Sequence, residues 1–274
     1  MRFRQINNDL LLSEINNFDP FVSCECGQCF RFEQISDSEY RLFACGRELV
    51  IDKTEEGWLF LNIDEAEFKE GFFDYFDLGR DYGEIISSFS FDKTISLAAQ
   101  TGSGIRIFRQ DPFETLISFI ISQNNNIPRI KKIIEALCRL LGEEKNGFFS
   151  FPTAEKIAEA GIEGLAPIKS GFRAKYIIDA ASKVASGEIS IEGIQKMSYA
   201  EALAELKKIK GVGDKVANCV LLFGFGHYGA FPIDVWVKRV IDKYYNGSFD
   251  PQTLGEYAGI AQQYLFYHER SLGD

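Results

Sequence analysis

The pattern of apolar and polar positions changes character near residue 100. Between about 20 and 63, the β-rich runs FVSCECGQCFRF, EYRLFACGRELVID and GWLFLNI are separated by the turn-forming stretches QISDS and KTEEG. This pattern predicts an antiparallel meander. The stretch 64–100 is acidic and rich in Phe and Tyr, which predicts helical or irregular segments that cover the sheet.

After the segment TGSGIRI, apolar residues recur at helical spacing. DPFETLISFIISQNN begins with Asp and Pro, which favour the cap and first turn of a helix. IPRIKKIIEALCRLLG, TAEKIAEAG, RAKYIIDAASKVASG and SYAEALAELKKIKG follow, and most of these runs end on Gly, as helix C-termini commonly do. The sequence therefore predicts an α+β protein with a sheet domain over 1–100 and a helical domain over 101–274.

The composition is that of a globular protein. The 274 residues are 46% hydrophobic, which argues against disorder. No run of about 18 uninterrupted apolar residues exists to span a membrane. The six cysteines are too few and too unevenly spaced for a disulfide scaffold, and the N-terminus lacks an apolar run long enough for a signal segment. We therefore expect a cytoplasmic protein with reduced thiols.

The net charge of −10, from 30 Lys and Arg against 40 Asp and Glu, is unevenly distributed. Residues 1–100 hold 9 basic and 20 acidic side chains, which leaves 21 basic and 20 acidic side chains for residues 101–274. Lys and Arg cluster at 129–132, 169–175, 207–215 and 238–243. Each cluster fits either a solvated helix face or contacts with a polyanion.

A helical hairpin is predicted at 203–220, within the run LAELKKIKGVGDKVANCVLLFGFG. One helix ends at Lys210, the turn G-V-G follows, and a second helix begins near Asp214. Unpaired backbone N–H groups and the partial positive charge of the second helix could hold a phosphate there without any base being read. The groups concerned lie around Gly211, Gly213, Lys215 and Val216. Close packing of two helices is the alternative explanation for the glycines.

Lys215 stands in the first turn of the second helix, the end least favourable for a cation. This position favours the neutral, nucleophilic amine unless an anion compensates the charge. Asp234 follows nineteen residues later, after Pro232 and Ile233, at the N-cap of another predicted helix. A carboxylate beside a lysine amine can take its proton and stabilise positive charge on a ribose ring. Taken singly, Lys215 could instead meet a phosphate, and Asp234 could be a structural cap.

The combination of GVGDKVANC, this spacing and FPIDVWVKRV resembles the helix–hairpin–helix Gly/Pro-Asp (HhH-GPD) superfamily of DNA base-excision glycosylases, and within it the 8-oxoguanine branch. Four further segments extend the resemblance in the family's order: CGQCFRF at 26–32, SQNNNIPRI at 122–130, GFRAKY at 171–176 and YAGIAQQYLF at 257–266. It implies an N-terminal antiparallel sheet domain packed on a two-lobed, all-helical glycosylase domain. It also implies a bifunctional enzyme that excises 8-oxoguanine through a Schiff base on Lys215, assisted by Asp234, and cleaves the abasic strand by β-elimination.

The resemblance implies a pocket for the flipped base. The carbonyl of Gly27 accepts the N7 hydrogen that 8-oxoguanine has and guanine lacks. Phe266 and Cys219 sandwich the base, and Gln262 reads its Watson–Crick edge. Cys219 lies four residues after Lys215, so a thiol beside the amine follows from helical spacing.

The resemblance also assigns residues that enter the duplex. Phe172 wedges into the base stack, Asn124 fills the vacated space, and Arg129 and Arg173 hydrogen-bond the estranged cytosine. Trp236 stands where eukaryotic relatives usually carry a phosphate-contacting His; an indole N–H can donate one hydrogen bond but carries no charge. A core position for Phe172 and an exposed helix position for Arg129 are the structural alternatives.

Metal binding is not expected from side chains. CECGQC at 24–29 lacks paired C-x₂-C units, and on a strand Cys24 and Cys26 would face away from Cys29. The iron–sulfur relatives carry four cysteines after the hairpin, whereas this chain has none beyond Cys219, so we expect no cluster. Relatives do suggest a structural cation held by main-chain carbonyls of the hairpin, at Lys207, Ile209 and Val212.

The expected partner is double-stranded DNA containing 8-oxoguanine, bound by a monomer with no other cofactor in a prokaryotic, nucleoid-associated setting. Two alternatives remain open. A superfamily member acting on an alkylated purine or an oxidised pyrimidine keeps the hairpin, although a merely hydrolytic member does not require Lys215. A non-enzymatic DNA-binding module explains the G-V-G turn and the basic clusters, but not the lysine, the carboxylate and the pocket residues.

Overall fold

The computed structural model describes residues 1–145 and 147–273. The strands of the main sheet are β1 (Arg2–Ile6), β2 (Asp9–Ser13), β3 (Phe32–Gln34), β4 (Glu39–Ala44), β5 (Arg47–Thr54) and β6 (Gly57–Phe60). They form one antiparallel sheet in the order β1-β2-β6-β5-β4-β3. A short separate hairpin consists of β7 (Glu144–Lys145) and β8 (Phe148–Phe149). The predicted α+β class with an N-terminal antiparallel sheet is confirmed.

Side-chain alternation gives this sheet its buried face. Tyr40 and Leu42 of β4 pair with Ile51 and Leu49 of β5, and all four side chains are buried. Alternate residues of a strand point to the same face, so these pairs form one apolar layer.

The aromatic stretch after the sheet covers that layer, as predicted. Phe68 lies in the first helix after β6, and its ring centre is 4.6 Å from that of Phe60. Phe76 follows at the end of the next helix, with its ring centre 5.9 Å from that of Phe60. Buried aromatic pairs of this kind supply much of the core's apolar area.

The sheet differs from the sequence-based expectation at its beginning. β1 and β2 precede residue 20 and were not predicted; Leu10 and Leu12 of β2 are buried and pair with Phe60 and Trp58 of β6. The predicted strand over CECGQ is wrong. Pro20–Ser23 form a short helix, α1, and Cys24–Gln28 form a π-helical turn. One cause is local: the Asp19 carboxylate accepts the N–H groups of Phe21 and Val22 and starts a helix where Pro occupies the first turn.

Contacts divide the chain into two compact units. The first comprises residues 1–109 and the segment from Val235 onward, and the second comprises 110–234. Besides the sheet and α1, the first unit contains α2 (Glu65–Glu70), α3 (Phe72–Tyr75), α4 (Tyr82–Ser88), α5 (Lys93–Thr101), α13 (Val235–Tyr244) and α14 (Ala258–Ser271). These units do not follow the predicted boundary at residue 100, because α14 packs on α5 and on α13.

The second unit carries the helices predicted from apolar periodicity. They are α6 (Pro112–Ser122), α7 (Ile127–Leu141), α8 (Ala154–Gly164), α9 (Ala174–Ala185), α10 (Ile191–Ile194), α11 (Tyr199–Leu206) and α12 (Asp214–Phe223). Asp111, Asn126 and Ser198 cap α6, α7 and α11 through their side chains, as residues of these types commonly do. Among the described residues, no helix combines the length and apolar character needed to cross a bilayer.

Candidate functional site

The predicted hairpin joins α11 to α12. The first helix ends at Leu206, earlier than the expected Lys210, and α12 begins at Asp214 as expected. Gly211 has a φ of +80°, and a Cβ atom there would lie 2.5 Å from the Tyr176 ring, so this position requires glycine.

Gly213 is different, because neither its backbone conformation nor its surroundings require a glycine. Its φ of −98° is open to any residue, and nothing within 4 Å would meet a Cβ atom. The space beside this N-cap is therefore open. As the N-cap residue of α12, Gly213 makes no side-chain hydrogen bond to the helix, so a ligand anion could approach the N–H groups in the first turn of α12.

Two charged side chains frame the hairpin. Nζ of Lys207 lies 2.6 Å from Oδ1 of Asp214, the first residue of α12. In the turn, the N–H of Val212 donates to the carbonyl of Ile209 at 3.1 Å. A carbonyl oxygen has a second lone pair, so this turn is compatible with the expected main-chain cation at Lys207, Ile209 and Val212, which stays a prediction.

Lys215 occupies a half-buried position beside α6. Its Nζ lies 3.4 Å from Oγ of Ser122 and 5.1 Å from the centre of the Phe119 ring. The Ser122 hydroxyl donates to the carbonyl of Phe119 at 2.8 Å. Because its proton is engaged, Ser122 presents an acceptor to the lysine, and the Nζ group must be the donor. Two contacts therefore hold the lysine nitrogen in place.

Cys219 and Asp234 share the electrostatic surroundings of Lys215. Burial raises the pKa of the Cys219 thiol to about 11, while the positive charge of Lys215 lowers it and the negative charge of Asp234 raises it. Both charges therefore lie close enough to act on the same thiol. Asp234 directly precedes α13, which begins at Val235. The structure thus places the predicted amine, thiol and carboxylate in one neighbourhood.

The predicted DNA-entering residues also lie together in the second unit. The Phe172 side chain is 51% exposed, so the core position is wrong. Asn124 and Arg129 are exposed, and Asn124 has a left-handed φ of 48°. The positive charge of Arg129 reaches Arg173, where it adds to burial in lowering the pKa of that guanidinium.

Arg173 is mostly engaged within the protein. Its guanidinium is buried and donates to the carbonyl oxygens of Ser170, Gln123 and Asn124. These four hydrogen bonds use four of its five N–H donors. Its clearest structural role is therefore to tie the segment that carries Phe172 to the Asn-rich end of α6. The expected hydrogen bond from Arg173 to the estranged cytosine stays a prediction.

The first unit holds three predicted base-pocket residues. Gly27 has a φ of +79°, and a Cβ atom there would lie 3.2 Å from Cε1 of Phe266. Gln262 is only 3% exposed, and its Oε1 atom has no hydrogen-bond partner among the described residues. A buried, unpartnered amide oxygen costs free energy unless a ligand satisfies it. Gln262 and Phe266 are one helical turn apart on α14, so Gly27, Gln262 and Phe266 lie together.

Trp236 lies in the first turn of α13, also in the first unit. The guanidinium carbon of Arg239 is 4.5 Å from the centre of its ring, a cation–π contact. The phosphate contact expected of Trp236 stays a prediction.

Several neighbours of these residues carry no functional signal in the sequence. Phe119 and Ser122 beside Lys215 belong to α6, where apolar residues and hydroxyl-bearing residues are interspersed and nothing marks one face as chemical. Gln263, next to Gln262, donates from its side chain to the carbonyl of Cys26. Gln28 and the two cysteines of the π-helical turn, Cys24 and Cys26, are buried, and so is Cys29 directly after the turn. No group of three or more metal-binding side chains was found among the described residues.

Comparison with known proteins gives consistent matches. Residues 10–116 match the N-terminal domain of 8-oxoguanine DNA glycosylase, and residues 117–254 match the HhH-GPD superfamily of base excision DNA repair proteins. A "Probable N-glycosylase/DNA lyase" of Methanothermobacter thermautotrophicus is 32% identical over 247 residues, covering 78% of both chains.

Two solved structures cover almost the whole chain. MBOgg1 in complex with a low affinity DNA ligand has a TM-score of 0.93 and 40% identity, covering 100% of this chain and 99% of that one. The 8-oxoguanine glycosylase/lyase of Clostridium acetobutylicum, bound to double-stranded DNA with cytosine opposite 8-oxoguanine, has a TM-score of 0.93 and 37% identity, with the same coverage.

Proposed function

We propose a function for this chain that follows from its family. The chain belongs to the HhH-GPD superfamily of base excision DNA repair proteins and carries the 8-oxoguanine DNA glycosylase N-terminal domain. It excises 8-oxoguanine from double-stranded DNA and then cleaves the strand at the abasic site. The observation that carries this proposal is the position of Lys215. Its amine lies beside the buried thiol of Cys219, and the negative charge of Asp234 raises the pKa of that same thiol.

The chemistry follows from that arrangement. Asp234 takes a proton from Lys215, and the neutral amine attacks C1′ of the deoxyribose. The bond from C1′ to N9 breaks, and its electron pair leaves with the base, which takes up a proton. Opening of the sugar ring gives a protonated Schiff base between C1′ and Nζ. Loss of a proton from C2′ then expels the 3′ phosphate, and water releases the lysine. Asp234 also offsets the positive charge that develops on the sugar.

The nucleotide must leave the base stack before this reaction, which costs a few kcal/mol. The exposed Phe172 ring is suited to wedge between bases, and the exposed Asn124 side chain is suited to fill the gap. Arg129 and Arg173 are proposed to contact the opposite cytosine. Arginine contacts to base edges are worth about 1–3 kcal/mol each.

Recognition of the lesion is proposed for the pocket residues. The Gly27 carbonyl accepts the N7 hydrogen of 8-oxoguanine, and the unpartnered amide oxygen of Gln262 accepts from the Watson–Crick edge. Phe266 and Cys219 are proposed to sandwich the base, Cys219 as a neutral thiol because burial raises its pKa to about 11.

Backbone contacts are proposed to anchor the DNA. The open space at Gly213 and the N–H groups around Gly211 and Val216 suit one phosphate, and Trp236 donates its indole N–H to another. The protein is proposed to act as a monomer in the cytoplasm, in association with the nucleoid.

Base release from a panel of duplexes tests the function. The panel contains 8-oxoguanine opposite each normal base, 3-methyladenine and an oxidised pyrimidine, each with one labelled strand. We expect release of 8-oxoguanine together with a strand break 3′ to the lesion. Preferential release of 3-methyladenine would overturn the substrate assignment. The absence of base release from every duplex would favour a DNA-binding module without enzymatic activity.

A further inference from the structure

The turn that presents Gly27 is held by an extensive set of hydrogen bonds. The Cys26 thiol donates to the carbonyl of Ser23 at 3.0 Å, and burial raises its pKa to about 12, so it keeps its proton. The side chain of Gln28 donates to the carbonyls of Ser23 and Arg106 at 2.9 and 2.8 Å. Its Oε1 accepts the N–H of Phe108 at 2.7 Å. The residues on both sides of Gly27 are therefore fixed from within.

Helix α14 fixes the same turn from outside. The side chain of Gln263 donates to the carbonyl of Cys26, which belongs to the peptide joining Cys26 to Gly27. Nη1 of Arg270 donates to the carbonyl of Glu25 at 2.9 Å. Gln263 and Arg270 are seven residues apart and therefore share a helix face. Gln263 is only 2% exposed, so little water is available to replace its hydrogen bond if the side chain is removed.

Fixing the peptide before Gly27 limits where the Gly27 carbonyl can point. Gly27 is a glycine with a φ of +79°, and glycine has wide freedom to rotate about its own backbone bonds. With the peptide on one side bonded to Gln263 and the side chain on the other side bonded through Gln28, that freedom is removed. A hydrogen-bond acceptor that is held in place discriminates a donor from a non-donor more strongly than one that can rotate away.

We propose that Gln263 is a positioning residue for lesion recognition, with Arg270 as its helper on the same face of α14. Gln263 acts through the Cys26 carbonyl and does not itself touch the base. The inference rests on the proposed function, because it assumes that the Gly27 carbonyl reads the N7 hydrogen. It extends that function by naming the element that sets discrimination: the alignment between α14 and the turn at Cys24–Gln28.

The experiment compares two reactions of the same protein. Release of 8-oxoguanine requires recognition of the base, whereas cleavage of a preformed abasic site requires Lys215 but no base. For Gln263→Met, which keeps the volume and loses the donor, we expect the ratio of the two single-turnover rates to fall about tenfold, equivalent to about 1.4 kcal/mol. Arg270→Met should lower the same ratio, and Arg270→Lys, which retains a donor, should restore most of it.

Gln5→Met is the matched control. Gln5 lies in the same unit and donates from its side chain to the carbonyls of Asn7, Asp9 and Ile63, away from Gly27. We expect it to leave the ratio unchanged. Binding gives a second measurement. In a Lys215→Gln background, we expect the protein to bind an 8-oxoguanine duplex more tightly than a guanine duplex, and the difference between the two Kd values should become smaller when Gln263→Met is added.

The possible outcomes separate the inference from the function. If the wild-type protein releases 8-oxoguanine but Gln263→Met and Arg270→Met lower both reactions equally or neither, the positioning role is wrong and the proposed function stands. If Gln263→Met does not fold, the Arg270→Met and Arg270→Lys pair decides the question by itself. If the wild-type protein releases no 8-oxoguanine, the proposed function fails first.

Discussion

The lysine nitrogen of Lys215 lies 5.1 Å from the centre of the Phe119 ring. Phe119 in turn is stacked on Phe223, with ring centres 5.4 Å apart and planes at 15°. A positive charge above an aromatic face is stabilised by about 0.5–2 kcal/mol. In the proposed reaction the attacking amine is neutral, whereas the protonated Schiff base carries a positive charge on this same nitrogen, so the Phe119 face stabilises the intermediate more than the attacking lysine.

Replacing the aromatic face should therefore slow the step that forms the charged intermediate. For Phe119→Leu we expect single-turnover cleavage of an abasic duplex to slow by about fivefold, corresponding to about 1 kcal/mol of lost cation–π stabilisation. Phe223→Leu, which removes the stacked partner and keeps the Phe119 ring, is the control. Equal slowing in both variants would show that packing, and not the charge of the intermediate, is responsible.

The two hairpin glycines should respond differently to alanine. Gly211→Ala places a methyl group against Tyr176 at a positive φ, and we expect urea unfolding to show a loss of about 2–4 kcal/mol. Gly213→Ala has an allowed φ and open space, so its stability should stay within about 0.5 kcal/mol of wild type.

Gly213→Ala should affect DNA binding even though it leaves stability almost unchanged. Its new methyl group would occupy the space beside the first-turn N–H groups of α12, so we expect Gly213→Ala to weaken DNA binding about tenfold at fixed salt. An unchanged Kd for DNA in this well-folded variant would show that the hairpin does not bind a phosphate at this position.

Phe172 and its neighbour Arg173 should separate function from stability. Because Phe172 is 51% exposed, Phe172→Ala should unfold like wild type while releasing 8-oxoguanine more slowly from a duplex. Arg173→Met removes the four hydrogen bonds that the buried guanidinium donates to backbone carbonyls, and we expect it to cost about 3 kcal/mol in the free energy of unfolding. A Phe172→Ala variant with wild-type base release would eliminate the wedge assignment.

Two buried thiols should make the protein sensitive to alkali. Burial raises the pKa of Cys26 to about 12 and that of Cys219 to about 11, from an ordinary value of 9.0. Their stabilising contribution is complete below pH 9 and is lost as the pH rises, because the unfolded chain releases these protons first. Between pH 9 and 10 we expect each thiol to lower the free energy of unfolding by about 1 kcal/mol.

Variants isolate this effect from that of the tyrosines, since burial also raises the pKa of Tyr264. Urea unfolding of Cys26→Ala should show a smaller fall between the two pH values than wild type. Cys45→Ala, at an exposed cysteine, should fall as the wild type does. Identical pH dependence in all three proteins would show that the Cys26 thiol does not titrate as its burial implies.

Sequence periodicity predicted the helical unit well because helix signals are local. Caps such as Asp111 and Ser198, the Gly-terminated runs and the start of α12 at Asp214 all depend on neighbours within one turn. The turn at Cys24–Gln28 was mispredicted because its β-rich composition is overridden by the Asp19 cap and by long-range bonds from Gln263 and Arg270. Strand propensity does not register such tertiary contacts.

The candidate site was predictable only where spacing and resemblance supplied it. Lys215 and Cys219 share a helix face, so their proximity follows from the sequence. Phe119 and Ser122 reach Lys215 from another helix, nearly a hundred residues earlier, and no local pattern indicates that approach. The same holds for the buried amide oxygen of Gln262, whose missing partner is visible only in three dimensions.

Borohydride trapping on an 8-oxoguanine duplex tests the central claim most directly, because hydride reduces the Schiff base to a stable amine linking protein and DNA. We expect the wild-type protein to form this adduct and the Lys215→Gln and Lys215→Arg variants to form none while still binding the duplex. Arginine keeps the positive charge without supplying the amine, so it separates charge from nucleophilicity. An adduct that persists in both variants would contradict the assignment of Lys215 as the nucleophile.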